Sequence, residues 1–340
     1  MAVALVTGGS GVVGRALVSR LVSNGWEVRS LDRRLPREAT EGVWALSGDA
    51  GDPGVVDMAV KGVDVIFHLA ARMPQAGLDE EGFRAANVEP TRLLASSGAK
   101  AGVRRFCFAS TIEVYGAQET RDPLDQEADL RFTGTYSRNK YECEQILSRV
   151  SQETGLEVVS LRMPMVFGPG FYHEKTILAT FVALRSGLPI PVPAPQALVS
   201  FVSSRDAAQA FELAATRGGV AGEVFNVAAP DTPNMLQFFE QLKEELSSRS
   251  KLLVVPRSLL SRVTAYAEVK ARSPGAKVLG TPAELVAFIE VGGAYSIAKA
   301  RERLGYAPVD TCAQAWAGAF RWFWSQSWTQ RYDIFFRHHV

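Results

Sequence analysis

Tyr136 and Lys140 stand four residues apart in the run Tyr-Ser-Arg-Asn-Lys. On a helix that spacing places a phenol and an ammonium one turn apart on the same face. A phenol with an ordinary pKa of about 10 is a poor base near neutrality. A neighbouring cation favours the phenolate and lowers that pKa. So prepared, Tyr136 can take the proton of a substrate hydroxyl while hydride leaves the carbon, or do the reverse. Thr111, in Phe108-Ala-Ser-Thr-Ile-Glu-Val-Tyr-Gly116, offers a hydroxyl to orient the substrate oxygen. Ser110 offers a second, and either hydroxyl could instead cap the turn that follows.

Hydride chemistry requires an acceptor, and the N-terminus carries a place for one. Thr7-Gly-Gly-Ser-Gly-Val-Val-Gly14 follows an apolar run and opens a helical pattern. Gly8 permits a tight turn, Gly11 lets the backbone approach a pyrophosphate, and Gly14 allows close helix–strand packing. Val12 and Val13 then lie in the first helical turn, whose free N–H groups attract phosphate. Asp32, at the end of the second apolar run, stands where a carboxylate accepts hydrogen bonds from an adenosine ribose. Its charge would repel a 2′-phosphate, so NAD is preferred to NADP. Arg33 and Arg34 could neutralise Asp32, hold a phosphate, or simply begin a solvated loop. Asp49 and Ala50, after Gly48, form either an adenine-contacting turn or an ordinary Gly-Asp turn.

These side chains need a parallel sheet to bring them to one edge. Short β-branched runs at Val3–Val6, Glu27–Leu31, Val43–Leu46, Val65–Leu69, Arg105–Ala109 and Val158–Leu161 alternate with helical patterns, the signature of βαβ units. Long helices are expected over about 80–101 and 136–154. After Gly168-Pro-Gly170 helical segments are broken by Pro-rich loops, and Val224-Phe-Asn-Val227 reads as a strand returning to the sheet. The expected architecture is α/β: a Rossmann-type doubly wound parallel sheet over 1–168 and about 199–230, with a smaller mixed α/β substrate domain over 169–198 and 231–340.

The 340 residues are 47% hydrophobic and 21% charged, an ordinary globular composition. A net charge of +1 gives no electrostatic case for nucleic acid or an anionic membrane. Cys107, Cys143 and Cys312 form neither a disulfide framework nor a metal spacing, and His173, His338 and His339 have no ligand partners at hand, so no metal is expected. Without a signal-like N-terminus or an apolar run long enough to span a bilayer, the expectation is a soluble cytoplasmic protein. His68 is read as packing rather than proton transfer.

The ordered series Thr7–Gly14, Phe67-His-Leu-Ala-Ala71, Asn87-Val-Glu-Pro-Thr91, Ser110–Gly116, Tyr136–Lys140 and Leu161-Arg-Met-Pro-Met-Val-Phe-Gly-Pro-Gly170 resembles the extended short-chain dehydrogenase/reductases. Phe201–Asp206, Gly222–Val227 and Lys299–Pro308 extend the resemblance over nearly the whole chain. It implies that Tyr136 is the acid/base, that Lys140 binds the nicotinamide ribose and tunes Tyr136, and that Thr111 binds the substrate oxygen. It also implies cofactor contacts from Leu69, Ala70, Ala71, Asn87, Ser110, Pro164 and Val166, and a homodimer formed through helices 80–101 and 136–154.

Members of this family include dehydrogenases, nucleotide-sugar epimerases and dehydratases. Nucleotide-sugar members commonly carry an Arg at the position of Val199, where it pairs with the substrate diphosphate. An apolar side chain cannot replace a guanidinium there. Dehydratases usually show an Asp-Glu pair where Ile112-Glu113 stands. Ser110-Thr-Ile-Glu-Val, and the stretch from Pro256 through Tyr266-Ala-Glu268 to Gly305-Tyr306, resemble 3β-hydroxysteroid dehydrogenases and the related 4-carboxysterol dehydrogenases, dihydroflavonol reductases and β-keto acid reductases. The expectation is therefore alcohol–ketone redox on a hydrophobic substrate, with a nucleotide-sugar 4-epimerase and a non-catalytic NAD-binding protein as alternatives. Glu113 and Val199 are candidate substrate-lining positions, Glu113 being equally readable as a solvated loop acid. The aromatic run from Trp316 to Phe336 reads as a docked terminal helix, an apolar entrance or a membrane-surface segment.

Overall fold

The computed structural model describes residues 2–34, 41–73, 78–116, 121–132, 134–171, 175–256 and 293–336. Seven strands build the main sheet: β1 (Val3–Thr7), β2 (Glu27–Asp32), β3 (Val43–Ser47), β4 (Val65–His68), β5 (Arg105–Thr111), β6 (Glu157–Met163) and β10 (Val224–Asn226). Their order is β10-β6-β5-β4-β1-β2-β3, and every pair is parallel. All seven residues of β5 are buried, as expected of a strand covered on both faces. The order reverses beside β1, which opens a crevice at the carboxyl ends of β1 and β4. Each expected strand is present within two residues of its expected bounds, including the return at 224–226.

Helices cover both faces. On one lie α1 (Val12–Ser23) and α7 (Ser204–Thr216). Leu17, Val18 and Leu21 of α1 meet Phe67, Val159 and Phe211 there. On the other lie α2 (Pro53–Ala59), α4 (Glu89–Lys100) and α5 (Thr135–Thr154), with Leu94, Cys143, Ile146 and Leu147 packed on Ile66, Phe106 and Phe108. The helix expected over 80–101 is divided into α3 (Glu80–Phe83), a π-helical turn (Arg84–Val88) and α4. Pro90 sits in the first turn of α4 and lacks the N–H that a continuous helix would use, so the ladder widens just before it.

A third apolar cluster lies apart from the sheet. It gathers α6 (Lys175–Ser186), α8 (Met235–Glu245) and α9 (Cys312–Ser325), with two short parallel pairs, β7 (Val166–Phe167) on β9 (Val202–Ser203) and β8 (Ile190–Pro193) on β11 (Leu252–Val255). Trp316 is its hub, with Phe167, Phe201 and Phe238 at ring-centroid distances of 4.8, 6.0 and 5.2 Å. Ala300, Leu304 and Tyr306 pack instead into the sheet cluster beside α7, so the expected 231–340 segment serves both cores. The aromatic run is largely a docked helix, with Trp316, Phe320 and Phe323 buried, while Trp328 and Tyr332 on α10 (Trp328–Phe336) stack on each other and face outward. No helix among the described residues is long and apolar enough to cross a membrane. His173, Tyr266–Glu268, His338 and His339 lie outside the described residues.

Candidate active site

Strand register brings Thr7, Leu31, His68 and Phe108 level with one another across four strands, and Thr111 level with Met163. The chemistry-bearing residues therefore share the carboxyl edge. The glycine turn begins there with Gly8 at φ +74°, its N–H bonded to Leu31 O, and Gly11 N–H closes onto Gly8 O. A Cβ on Gly14 would stand 2.1 Å from Gly8 O, so only glycine lets α1 approach this closely. Gly11 caps α1 without a side chain, leaving the N–H groups at Val12 and Val13 directed out of the helix end. That cradle fits the pyrophosphate of NAD.

Asp32 is buried behind the turn. Its Oδ1 accepts the N–H and O–H of Ser10 at 3.1 and 2.6 Å, and its Oδ2 accepts the Ser30 hydroxyl at 2.8 Å. A carboxylate offers about four acceptor positions, so room remains for a ribose hydroxyl. The partners of Asp32 are serines and not Arg33. Arg33, Arg34 and Asp49 lie near Arg72, whose pKa is lowered by burial and by the two neighbouring cations. Asp49 accepts Gly51 N–H in a tight turn, and Ala50 packs against the core. Leu69 and Ala70 bond back to Thr7 through their N–H groups, which lines the crevice floor with backbone through Ala71.

Three expected contact residues turn their side chains elsewhere. The Asn87 amide clamps Arg72, accepting its N–H at 2.7 Å and donating to its carbonyl at 3.0 Å. The Ser110 hydroxyl donates to Glu144 Oε1 at 2.5 Å. Both groups are thus turned to protein partners and not to the crevice. Val199 is 3% exposed in the third cluster and lines no surface. Val166 pairs through its backbone with Val202 and its side chain is half-buried, and Pro164 is buried nearby. For Ser110 the outcome depends on which face of its strand the side chain takes, and a one-residue change of phase reverses that, whereas Asn87 stands in the π-helical turn and Val199 outside any strand.

Tyr136 and Lys140 lie on the sheet-facing side of α5. Lys140 Nζ is 5.8 Å from the Tyr136 ring centroid and 4.8 Å from that of Phe108. One of its N–H groups goes to Ala109 O at 2.8 Å, leaving two donors for a ribose. Burial lowers the Lys140 pKa to about 8, against the opposing pull of Cys143 and Glu144. Tyr136 departs from expectation. Burial, then the charge of Glu113, push its pKa well above the ordinary phenol value. Both make the phenolate costlier, so the site favours the phenol. Thr111 Oγ1 accepts the N–H of Glu113, capping the single turn Ile112–Tyr115, and its own O–H remains a donor. Capping and substrate orientation are thus compatible roles for one hydroxyl.

His68 is the packing residue it was read to be. It bridges Thr7 Oγ1 and Thr91 Oγ1 at 2.7 and 3.0 Å, and burial lowers its pKa to about 3. A buried polar network beside it escaped the sequence reading. Glu144 pairs with Arg162, which also donates to Tyr115 OH. Glu144 lies one turn beyond Lys140, a helical spacing that would have marked it as sheet-facing.

Comparison with known proteins agrees with this geometry. The sequence profile described as the NAD dependent epimerase/dehydratase family matches residues 4–228. A 3 beta-hydroxysteroid dehydrogenase/Delta 5→4-isomerase of Mycobacterium tuberculosis is 30% identical over 339 residues, covering 92% of this chain and 87% of that protein. Among solved structures, the UDP-glucose 4-epimerase of Thermus thermophilus in complex with NAD superposes with a TM-score of 0.75 at 22% identity, covering 96% of this chain and 100% of its own. A double mutant of the dTDP-glucose 4,6-dehydratase of Streptomyces venezuelae, with NAD bound, gives 0.75 at 23% identity, covering 97% and 99%. The glycine cradle, the Tyr–Lys helix and a profile match over most of the sheet lead to one assignment: the chain belongs to the NAD-dependent epimerase/dehydratase family of extended short-chain dehydrogenase/reductases and is an NAD-dependent oxidoreductase.

Proposed function

We propose that the protein interconverts a secondary alcohol and a ketone on a hydrophobic, sterol-like or β-keto-acid-like substrate. Supporting this is the burial of Val199 among Phe201, Met235 and Trp316, at the position where nucleotide-sugar members commonly present a guanidinium to a diphosphate. Full-length similarity to a hydroxysteroid dehydrogenase points the same way. Bound NAD supplies or accepts the hydride. Thr111 donates its O–H to the substrate oxygen and fixes the carbonyl plane. Tyr136, held as a phenol, gives its proton to that oxygen during reduction and recovers it from solvent. In oxidation Tyr136 must first deprotonate, which burial and Glu113 oppose, while a cation at Lys140 favours the phenolate on general electrostatic grounds. Val12, Val13, Leu69, Ala70 and Asp32 hold the cofactor in this scheme. The protein works as a cytoplasmic homodimer, a compartment in keeping with three free, buried cysteines.

Tyr136→Phe is expected to keep NADH affinity within about twofold and to lower turnover of a 3β-hydroxysteroid at least roughly 100-fold. Absorbance change with added NAD and steroid, together with fluorescence titration of NADH, measures both. A wild-type protein that purifies with tightly held NAD, ignores added NADH and converts a UDP-sugar would replace this reading with epimerisation.

A further inference from the structure

We propose that Ser110, Glu144 and Arg162 are positioning residues that fix the catalytic helix against the strand carrying Thr111. The inference rests on the reading above only in taking Tyr136 and Thr111 as the groups that meet the substrate.

The geometry begins with register. Ser110 on β5 is the direct partner of Arg162 on β6, and Arg162 is the direct partner of Asn226 on β10. Level residues on neighbouring strands point to the same face. Three polar side chains therefore form a row across the sheet beneath α5. Glu144 descends from α5 onto that row. Its Oε1 accepts Ser110 Oγ–H at 2.5 Å and Arg162 Nε–H at 3.0 Å, and its Oε2 accepts Arg162 Nη2–H at 2.7 Å. Arg162 Nη1–H continues to Tyr115 OH at 2.9 Å, and Tyr115 O–H to Asn226 Oδ1 at 2.7 Å. Asn226 Nδ2–H ends the chain on Leu124 O at 3.2 Å.

Two consequences bear on the reaction. Lys140 and Glu144, one turn apart on α5, hold Ala109 O and Ser110 Oγ, which belong to successive residues of β5. Added to the apolar contacts of Cys143, Ile146 and Leu147 on the sheet, the two bonds set the shift and the rotation of the helix relative to β5. Tyr136 lies one turn before the first bond, and Thr111 directly follows the second. The Glu144–Arg162 pair also holds both flanks of the turn that contains Thr111 and Glu113, Ser110 on one side and Tyr115 on the other.

Stability alone does not account for such a network. Glu144 and Arg162 are 7% and 6% exposed at the side chain, and a buried ion pair of this kind is often matched or exceeded by apolar residues of equal volume. What a fully satisfied network provides is one defined arrangement. Reacting groups must be held within about 0.5 Å of the productive geometry, and displacement by about 1 Å can cost roughly 100-fold in rate.

Ser110→Ala removes the helix–strand bond and leaves the ion pair in place. It is expected to lower kcat for NAD-linked oxidation of a 3β-hydroxysteroid about tenfold, with KM and the NADH dissociation constant unchanged, and Ser110→Thr is expected to restore most of the loss. An unchanged kcat overturns the proposal. So does a weaker NADH affinity with normal kcat at saturation, which would make Ser110 a cofactor contact. Crystal structures of wild type and Ser110→Ala with NAD separate this proposal from the substrate reading, because they need no turnover. The distance from Thr111 Oγ1 to Tyr136 OH is expected to change by at least about 0.5 Å in the variant. An unchanged distance refutes positioning whatever the substrate proves to be.

Discussion

In the proposed reaction Tyr136 is the acid in one direction and the base in the other, and its surroundings favour the acid. The phenolate would lie in a desolvated pocket facing the carboxylate of Glu113, and each raises its cost. Lys140 retains its charge at neutral pH, since its pKa of about 8 remains above 7, but it spends one bond on Ala109 O. Removing the Glu113 charge should therefore ease formation of the phenolate. Glu113→Gln is expected to shift the acid limb of kcat/KM for alcohol oxidation to lower pH, making oxidation severalfold faster on that limb. Ketone reduction, which uses the phenol, should change little. A pH–rate profile in both directions measures the asymmetry; an unshifted acid limb would place Glu113 outside the range of Tyr136. The Tyr–Lys spacing was legible from two letters four positions apart. The direction of the Tyr136 pKa was not, because it depends on burial, which a helix acquires only by docking.

At the level of elements, the junction of β1 with α1 and the end of β4 make separate demands on the chain. Gly14→Ala would drive a methyl into Gly8 O and the Gly9 backbone, so α1 must retreat from the turn. NADH affinity is expected to fall at least roughly tenfold while the melting temperature drops by a few degrees, as read by fluorescence titration and calorimetry. His68, at the end of β4, is tied to β1 through Thr7 and to α4 through Thr91. Its pKa falls from 6.5 in the unfolded chain to about 3 in the fold, chiefly by burial and then by Lys140. Between those values the unfolded chain binds the extra proton, so stability declines as pH falls from 6.5 toward 3. His68→Gln keeps partners for both threonines and removes the titration. Its unfolding free energy in urea is expected to fall less than that of wild type between pH 7 and pH 4.5; equal losses would show that other groups govern the acid limb.

For the whole molecule, the proposed homodimer would pair the surface of the helices from α3 to α5. The apolar sides of α4 and α5 are spent on the sheet. Outside them, Arg84 of the π-helical turn bonds Glu89 of α4 and Glu142 of α5, with Arg92 of α4 on Glu89. A homodimer across this face would join charged surfaces, and salt screens such contacts. Light scattering is expected to show dimers at low ionic strength that dissociate toward 1 M salt, and Arg84→Glu should weaken them further. A dimer indifferent to both changes has its seam elsewhere.

The sequence by itself determined the architecture and the reactive pair. Apolar β-branched runs alternating with helical patterns are the signature of covered parallel strands, the glycines at 8, 11 and 14 admit few backbones, and the step from Tyr136 to Lys140 is one turn of a helix. Tertiary structure decided where neighbouring side chains point. Ser110 and Thr111 are adjacent hydroxyls, yet the pleat sends the first to Glu144 and leaves the second at the crevice. Arg162 and Asn226 are 64 positions apart in the chain and level in the sheet. Val199 gains meaning only from the apolar cluster that closes over it. Strand phase and long-range register set these outcomes, and both are fixed when the elements pack, not by any local run of residues.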